Sequence, residues 1–457
     1  MSDADRGDII AHSSPEAAAA ARYAAYPGWL RDRLEWFQDL KFGLILHFGI
    51  YSQWDCYESW PLVPADTWAR PDDLRCWNEH GRDLERFSAA YRALNQTFNP
   101  VAFNPEAWAD LAAEAGFRYV CMTTKHHDGF CLWDTRTTDY RVTHPSCPFA
   151  SHPRADIIRG VFDAFRARQM AISCYFSKSD WHQPAYWRPD RPIVDRNPNY
   201  DTLAEPAVWR QFVEYVHAQV GELMTGYGPI DILWLDGGQV RPPNQDIDMD
   251  RLAAEARAAQ PGLIIADRTV GGEHENFITP EQEVPDQPLG FPWESCITLG
   301  NGWKYNPGSM VYRPAEAAIR QLVDVVAKGG NLLLGIGPTP EGIIDDVAAG
   351  LLREIGAWLA VNGEAIYGSR AIAPYREEQT CYTQRDGRVY ALVMDGDPPL
   401  RQVALRGQQP ADGSPVRLLG HDGLLPWRRD DGATLVDLPE RRPRAVGWVL
   451  VIEQPAG

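Results

Sequence analysis

The sequence predicts an α/β fold: a (β/α)8-like, TIM-type barrel followed by a C-terminal antiparallel β-sandwich. Three observations predict it. Short apolar runs alternate with amphipathic helices from about residue 26 to about residue 368. Polar or ionisable residues stand at the C-terminal ends of those runs. After about residue 370 the pattern changes to short strands between Gly, Asp and Pro clusters. Strand-then-helix units with continuously apolar strands require a parallel sheet covered on both faces.

Residues 1–25 read as an N-terminal tail, residues 26–368 as the barrel and residues 369–457 as the sandwich. LILHF at 44–48 is the first strand, and the segment 52–104, rich in Trp, Pro and Arg, reads as a large loop on the barrel mouth. A helix follows at 105–115, with Asn104 as its cap, Pro105 in the first position and Gly116 as its stop. Its Trp108, Leu111, Ala112 and Ala115 keep the spacing of one buried face. YVCMTT at 119–124 is the second strand, the helix at 156–168 packs through Ile158, Phe162 and Phe165, and AISCYF at 171–176 is the third. The helix at 208–224 leads to IDILWL at 230–235, and a helix near 248–259 leads to LIIA at 263–266. SCITL at 295–299 is a weaker strand, the helix at 314–327 leads to NLLLGIG, and a last helix at about 344–361 closes the barrel. Six or seven units result, with no segment assignable to an eighth strand. No phosphate-type glycine fingerprint follows the first strand, which disfavours a doubly wound sheet. In the tail, CYTQRDGRVYALVM reads as two strands joined at Asp386–Gly387.

The net charge of −18 on 457 residues repels phosphate backbones and anionic membranes, so neither nucleic acid nor membrane is an expected partner. The 17 Trp and 18 Tyr fit a large aromatic core and equally fit sugar binding. The eight cysteines show no framework spacing and no CxxC pair, so few or no disulfides and no structural zinc are expected. The N-terminus has no basic region followed by a long apolar run. The chain as numbered therefore reads as cytoplasmic, or as periplasmic or secreted if a signal was removed. No run is apolar enough to span a membrane.

The strand ends carry the chemistry. His47 ends the first strand, His126, His127 and Asp128 the second, Tyr175 the third, Asp236 the fourth, and Asp267–Arg268 the fifth. In a barrel these ends converge on one face, where active sites sit. Asp236 lies in IDILWLDGG, a carboxylate directly after a buried strand with two glycines behind it. Trp234 alternates with Asp236 and faces the same way, either beneath a ligand or filling the barrel.

WFQDLKFGLILHFGIYS, TTKHHDGFCLWDT, IDILWLDGG, DRTVGG…TPEQ and GGNLLLGIGPTPEG together resemble glycoside hydrolase family 29, the α-L-fucosidases, over about residues 30–370. The resemblance implies a (β/α)8-like barrel with a C-terminal β-sandwich, a retaining mechanism, no cofactor and no required metal. It implies hydrolysis of terminal α-L-fucosides through a covalent fucosyl-enzyme on Asp236. It further implies Glu281 as acid/base, with Glu294 as runner-up and Glu273, Glu275 and Glu283 nearby. His47, Glu58, Trp60, His126, His127, Tyr175, Trp234 and Arg268 are the implied substrate-binding residues. The partner is then a fucosylated oligosaccharide or glycoconjugate, and a homo-oligomer is compatible with it. Two departures stand out. Phe48 follows His47 where the family usually has Trp, which would cost that wall of the pocket some contact area. The family's Glu-Trp pair is Glu58-Ser59-Trp60 here.

Three other readings remain open on the sequence: the same chemistry on a related sugar such as an α-L-galactoside, a catalytically inactive fucose-binding protein, and a metal hydrolase. An apolar pocket rejects an added hydroxyl only modestly. If the second strand continues through His126 and His127, they point to opposite sides, which makes joint metal ligation awkward.

Overall fold

The computed structural model describes residues 16–396, 398–444 and 446–453. Seven parallel strands form the first unit: β1 (Phe42–Leu46), β2 (Tyr119–Thr123), β3 (Ala171–Ser177), β4 (Ile232–Asp236), β5 (Ile264–Asp267), β6 (Glu294–Thr298) and β7 (Asn331–Ile336). Their spatial order is β5-β4-β3-β2-β1-β7-β6. The main helices are α1 (Glu16–Ala25), α2 (Gly28–Leu40), α3 (Arg75–Glu79), α4 (Leu84–Arg92), α5 (Pro105–Glu114), α6 (Ile157–Ala167), α7 (Pro206–Gly226), α8 (Met249–Ala259), α9 (Ala315–Ala327) and α10 (Asp346–Asn362).

No eighth strand completes the ring among the described residues. The gap between β5 and β6 is crossed by residues 274–282. On one side Asp267 N donates to His274 O at 3.1 Å and Asn276 N to Ile265 O at 2.9 Å. On the other, Glu294 N donates to Ile278 O at 2.9 Å and Cys296 N to Pro280 O at 3.0 Å. Pro280 has no N–H, so a regular ladder on both sides is impossible here. This explains why no eighth strand is legible in the sequence.

The alternation of side chains along the strands sorts the core into two clusters. Ile45, Tyr119, Cys121, Tyr175, Ile232, Trp234, Ile264, Ala266, Cys296 and Leu333 fill the barrel interior. Leu44, Leu46, Val120, Met122, Cys174, Leu233 and Leu332 face the surrounding helices. Leu30, Leu34 and Phe37 of α2 join the interior cluster, so this helix plugs the barrel end opposite the strand C-termini. The cap expected for α5 is present: Asn104 Oδ1 accepts from Ala107 N at 3.1 Å, with Pro105 leading the helix.

Two stretches differ from their sequence reading. Residues 16–25, read as tail, form α1, while residues 1–15 lie outside the described residues. Segment 52–104, read as a loop, contains α3, α4 and several short helical turns. Asp83 caps α4 by accepting from Glu85 N and Arg86 N, and Phe87 and Tyr91 bury its inner face.

The second unit is antiparallel. Its strands are β8 (Arg370–Glu377), β9 (Thr380–Arg385), β10 (Arg388–Val393), β11 (Gln402–Leu405), β12 (Val416–Leu418), β13 (Trp427–Asp430), β14 (Ala433–Asp437) and β15 (Trp448–Glu453). They form one sheet of order β12-β15-β10-β9-β8 and another of order β11-β14-β13. Tyr382, Val389, Val403, Leu405, Val436 and Leu450 pack between the two. Asp386 and Gly387, at φ 50° and 74°, turn the β9–β10 hairpin as its sequence predicts. All eight cysteines are buried and free. No helix among the described residues is long and apolar enough to cross a membrane.

Candidate active site

A cavity of about 420 Å³ opens at the C-terminal ends of the strands. His47, Glu58, Trp60, His126, His127, Tyr175, Trp234, Asp236, Arg268 and Glu281 all line it.

Register explains how strands bring these groups together. Tyr175 on β3 pairs with Trp234 on β4, so both point into the barrel, and their rings stack with centroids 5.3 Å apart. Asp236 is the next residue on that face of β4, and the Tyr175 hydroxyl donates to its Oδ2 at 2.6 Å. Behind Asp236 the chain turns at Gly237, at φ +86°, and a Cβ on Gly238 would stand 1.8 Å from Thr269 Oγ1. The two glycines thus allow the turn and the close approach of the next loop.

Arg268 follows β5 and occupies the centre of the site. Its Nη1 donates to Asp236 Oδ1 at 2.8 Å and its Nη2 to Glu281 Oε2 at 2.8 Å. Its Nε donates to Thr279 Oγ1 at 2.9 Å. One rigid guanidinium fork therefore holds both carboxylates. Burial pushes the Asp236 carboxyl up, but Arg268, His127 and the Tyr175 hydroxyl together outweigh it and hold that carboxyl well below the usual range. Burial also raises Glu281, and there it prevails over Arg268. Neighbouring carboxylates are thus driven in opposite directions, the arrangement that separates a base or nucleophile from an acid.

The three histidines are neutral at pH 7. Burial lowers His47 to about 3, His127 to about 4, and His126 well below its ordinary value. His126 Nδ1 pairs with Ser59 Oγ at 2.6 Å, and His127 Nδ1 with Ser177 Oγ at 2.6 Å. His47 Nδ1 is buried without a hydrogen-bond partner among the described residues. β2 stops at Thr123, so His126 and His127 lie beyond the strand and both face the cavity, with ring centroids 4.3 Å apart. The alternation expected for a continued strand does not apply. With Asp236 they offer ligand atoms within 4.8 Å of one another. The Asp236 oxygens are already engaged by Arg268 and Tyr175, and a guanidinium in this position opposes a second cation.

Glu58 is buried, at φ 33°, and accepts from Lys304 N at 3.4 Å. Burial raises its carboxyl to about 7 despite Lys304. The ring of Trp60 lies 4.8 Å from that of His127. Serine between Glu58 and Trp60 therefore does not prevent both from reaching the cavity. Phe48 is different: it packs against Phe98 and Trp108 and does not line the cavity. Trp303 occupies the wall beside His47, at 4.9 Å between centroids, and donates to Glu281 Oε1 at 3.2 Å.

Glu294 opens β6 and so lies towards the opposite end of the barrel from the strand C-termini. It accepts from Tyr119 at 2.5 Å and from Trp234 Nε1 at 3.0 Å, and it does not line the cavity. Glu275 accepts from Thr269 N at 2.9 Å and pairs with Arg22. Glu273 and Glu283 are exposed. Trp303, Thr279, Ser59, Ser177, Arg196 and Trp68 escape the sequence reading. Ser177 is the last residue of β3, and the others come from loops and short turns, where no periodicity marks direction.

The family model for Alpha-L-fucosidase matches residues 11–364. The human plasma alpha-L-fucosidase is 28% identical over 439 residues, covering 91% of this chain and 89% of that protein. Alpha-L-fucosidase isoenzyme 1 from Paenibacillus thiaminolyticus superposes with a TM-score of 0.76 at 29% identity, covering 94% of this chain and 100% of that one. The Thermotoga maritima alpha-fucosidase in complex with fucose gives 0.74 at 26% identity, covering 93% and 98%.

Proposed function

Because this chain belongs to the alpha-L-fucosidase family of glycoside hydrolases, we propose that it removes terminal α-L-fucose from glycans by a retaining double displacement. The barrel, residues 26–368, is then the catalytic unit, and the described residues from 369 onward form a sandwich that packs against it.

In the first step Asp236 attacks the anomeric carbon of fucose. The glycosidic bond breaks and its electron pair leaves with the aglycone oxygen, which takes a proton from Glu281. The product is a fucosyl ester on Asp236. In the second step Glu281 takes a proton from water, the oxygen attacks the anomeric carbon, and the ester bond breaks to restore Asp236. Two inversions leave the configuration retained.

The observation that carries this reading is the shared guanidinium, with Asp236 and Glu281 each 2.8 Å from one nitrogen of Arg268. A retaining pair needs carboxyls roughly 5–5.5 Å apart, and a common fork keeps the two close. The environment favours an ionised Asp236, as a nucleophile requires. Glu281 is raised towards the protonated form that a general acid requires. His47, His126 and His127, all neutral, can donate to or accept from sugar hydroxyls, and the unpartnered His47 Nδ1 has that capacity unused. Glu58 and Trp60 complete the pocket, while Trp234 and Tyr175 form its floor. Glu294 has no path to a leaving oxygen from beneath Trp234.

The test is Asp236→Gly with azide. Hydrolysis of 4-nitrophenyl α-L-fucoside should stop, and azide should restore release of nitrophenol with β-fucosyl azide as product. Residual hydrolysis with inverted configuration would exclude the covalent route.

A further inference from the structure

From Trp60 a row of aromatic rings continues to the cavity mouth, and its outer members, Trp68 and Tyr57, have no part in the chemistry above. Trp60 lies against His127, deep in the site. Its ring centroid is 6.1 Å from that of Trp68, which is in turn 5.7 Å from that of Tyr57. All three line the cavity, and Tyr57 at its rim is 43% exposed. The row therefore runs from the histidines to solvent.

Its members are held in place. Trp68 Nε1 donates to Asp66 Oδ1 at 3.3 Å. Arg196 grips the same carboxylate through two bonds, at 2.8 and 2.6 Å, and its guanidinium lies 4.8 Å over the Trp60 ring. Glu58 sits at φ 33°, a left-handed conformation that costs a non-glycine residue energy. That backbone turn is compatible with Glu58 buried in the pocket while its neighbour Tyr57 stands out at the rim. A strained residue beside a large ring left exposed at a cavity mouth fits a ligand-contacting surface better than a packing one.

We propose that Tyr57 and Trp68 form a binding site for the leaving group, and that it takes a neutral pyranose stacked by its C–H face on these rings. The proposal rests on the fucosidase reading and names the class of aglycone. The wall adjoins Glu58, which accepts from Lys304 N at 3.4 Å, and the preceding residue Trp303 donates to Glu281 at 3.2 Å, on the side from which the leaving oxygen is protonated. Neutrality follows from charge. Arg196 is matched by Asp66 and Arg268 by two carboxylates, so among the described residues no cation is left over on this wall or at the centre to receive an acidic sugar.

The test uses binding to the Asp236→Gly protein, which needs no turnover. Isothermal titration should show a neutral disaccharide, α-L-fucosyl-galactose, binding about 10-fold more tightly than methyl α-L-fucoside. Adding Trp68→Ala should remove that advantage, and Trp68→Phe should keep most of it. A disaccharide ending in glucuronic acid should gain nothing over the methyl fucoside. Equal affinity for the neutral disaccharide and the methyl glycoside would overturn the proposal, as would an equal loss for both ligands in Trp68→Ala. A glucuronide bound as well as the galactoside would overturn the claim of neutrality. Absence of fucoside hydrolysis by the unaltered protein is a separate result. It would count against the catalytic reading while the binding comparison still decides this one.

Discussion

The guanidinium of Arg268 lies 4.2 Å from the centroid of the Trp234 ring. Stacking on the indole holds the plane of the fork, so its two terminal nitrogens aim at different carboxylates. Lysine has no plane to stack on the indole and no pair of terminal nitrogens fixed at the spacing of the two carboxylates. Arg268→Lys should therefore lower kcat/KM about 100-fold, equivalent to about 3 kcal/mol for a buried, hydrogen-bonded charge pair. With Arg268→Ala both carboxyls lose a cation that favours their charged forms. Both limbs of the pH–rate profile should then move to higher pH, the acidic limb through Asp236 and the basic limb through Glu281. A profile that loses height without moving would contradict this assignment.

Glu281→Ala should depend on the leaving group. Poor leaving groups need protonation, so fucosyl-disaccharide turnover should fall by about 10²–10⁴ while 4-nitrophenyl fucoside loses far less. Glu294→Ala should lower thermal stability and affect both substrates alike. Steady-state kinetics on the two substrates separates the variants, and a reversed pattern would transfer the acid role to Glu294.

Glu294 is a buried carboxyl with two neutral donors and, among the described residues, no cation bonded to it. Burial raises it from the ordinary 4.5 to about 7. The folded state therefore binds this proton more tightly than the unfolded state. The associated stability is fully present below pH 4.5 and is lost as pH rises to about 7. Glutamine can accept from Trp234 and donate to Tyr119 without ionising. Glu294→Gln should therefore gain up to about 3 kcal/mol over the parent at pH 8 and little at pH 4.5, read from denaturant melts. A gain independent of pH would show that ionisation is not its source.

Lys178 and Asp267 form a buried ion pair at 2.5 Å, and Lys178 N also donates to the backbone oxygen of Asp236. The pair ties the ends of β3, β4 and β5 beneath the site. Lys178→Met leaves a buried carboxylate unpaired and should cost about 3–5 kcal/mol. Adding Asp267→Asn should recover a large part of that stability. Additive losses in thermal melts would mean that the two side chains do not act as a pair.

The strand pattern made most of the site legible. His47, Tyr175, Asp236 and Arg268 were readable because a strand end in a parallel barrel has one destination. Glu294 could have been judged by the same rule: it precedes its strand and so belongs to the opposite end. Glu281 was not readable from periodicity, since it lies on no regular element, and only the family resemblance pointed to it. Trp303 and Arg196 gave no signal, because loop side chains take their direction from contacts between segments far apart in sequence. The helices inside 52–104 were hidden by its Trp, Pro and Arg content, although Asp83 followed by Leu84-Glu85-Arg86 is a readable start.

Residues 274–282 close the barrel with scattered backbone bonds instead of a continuous ladder, and they carry Glu281. The two carboxylates thus sit on mountings of unequal tolerance. A one-residue slip of β4 would turn Asp236 out of the ring, because every side chain on a strand changes face with such a slip. The seam keeps its register at isolated bridges only, Ala266 with Glu275, Ile278 with Trp293 and Glu281 with Cys296. A change of length there would leave the strands in place and act on Asp236 only through Arg268, which Thr279 and Glu281 of this segment hold.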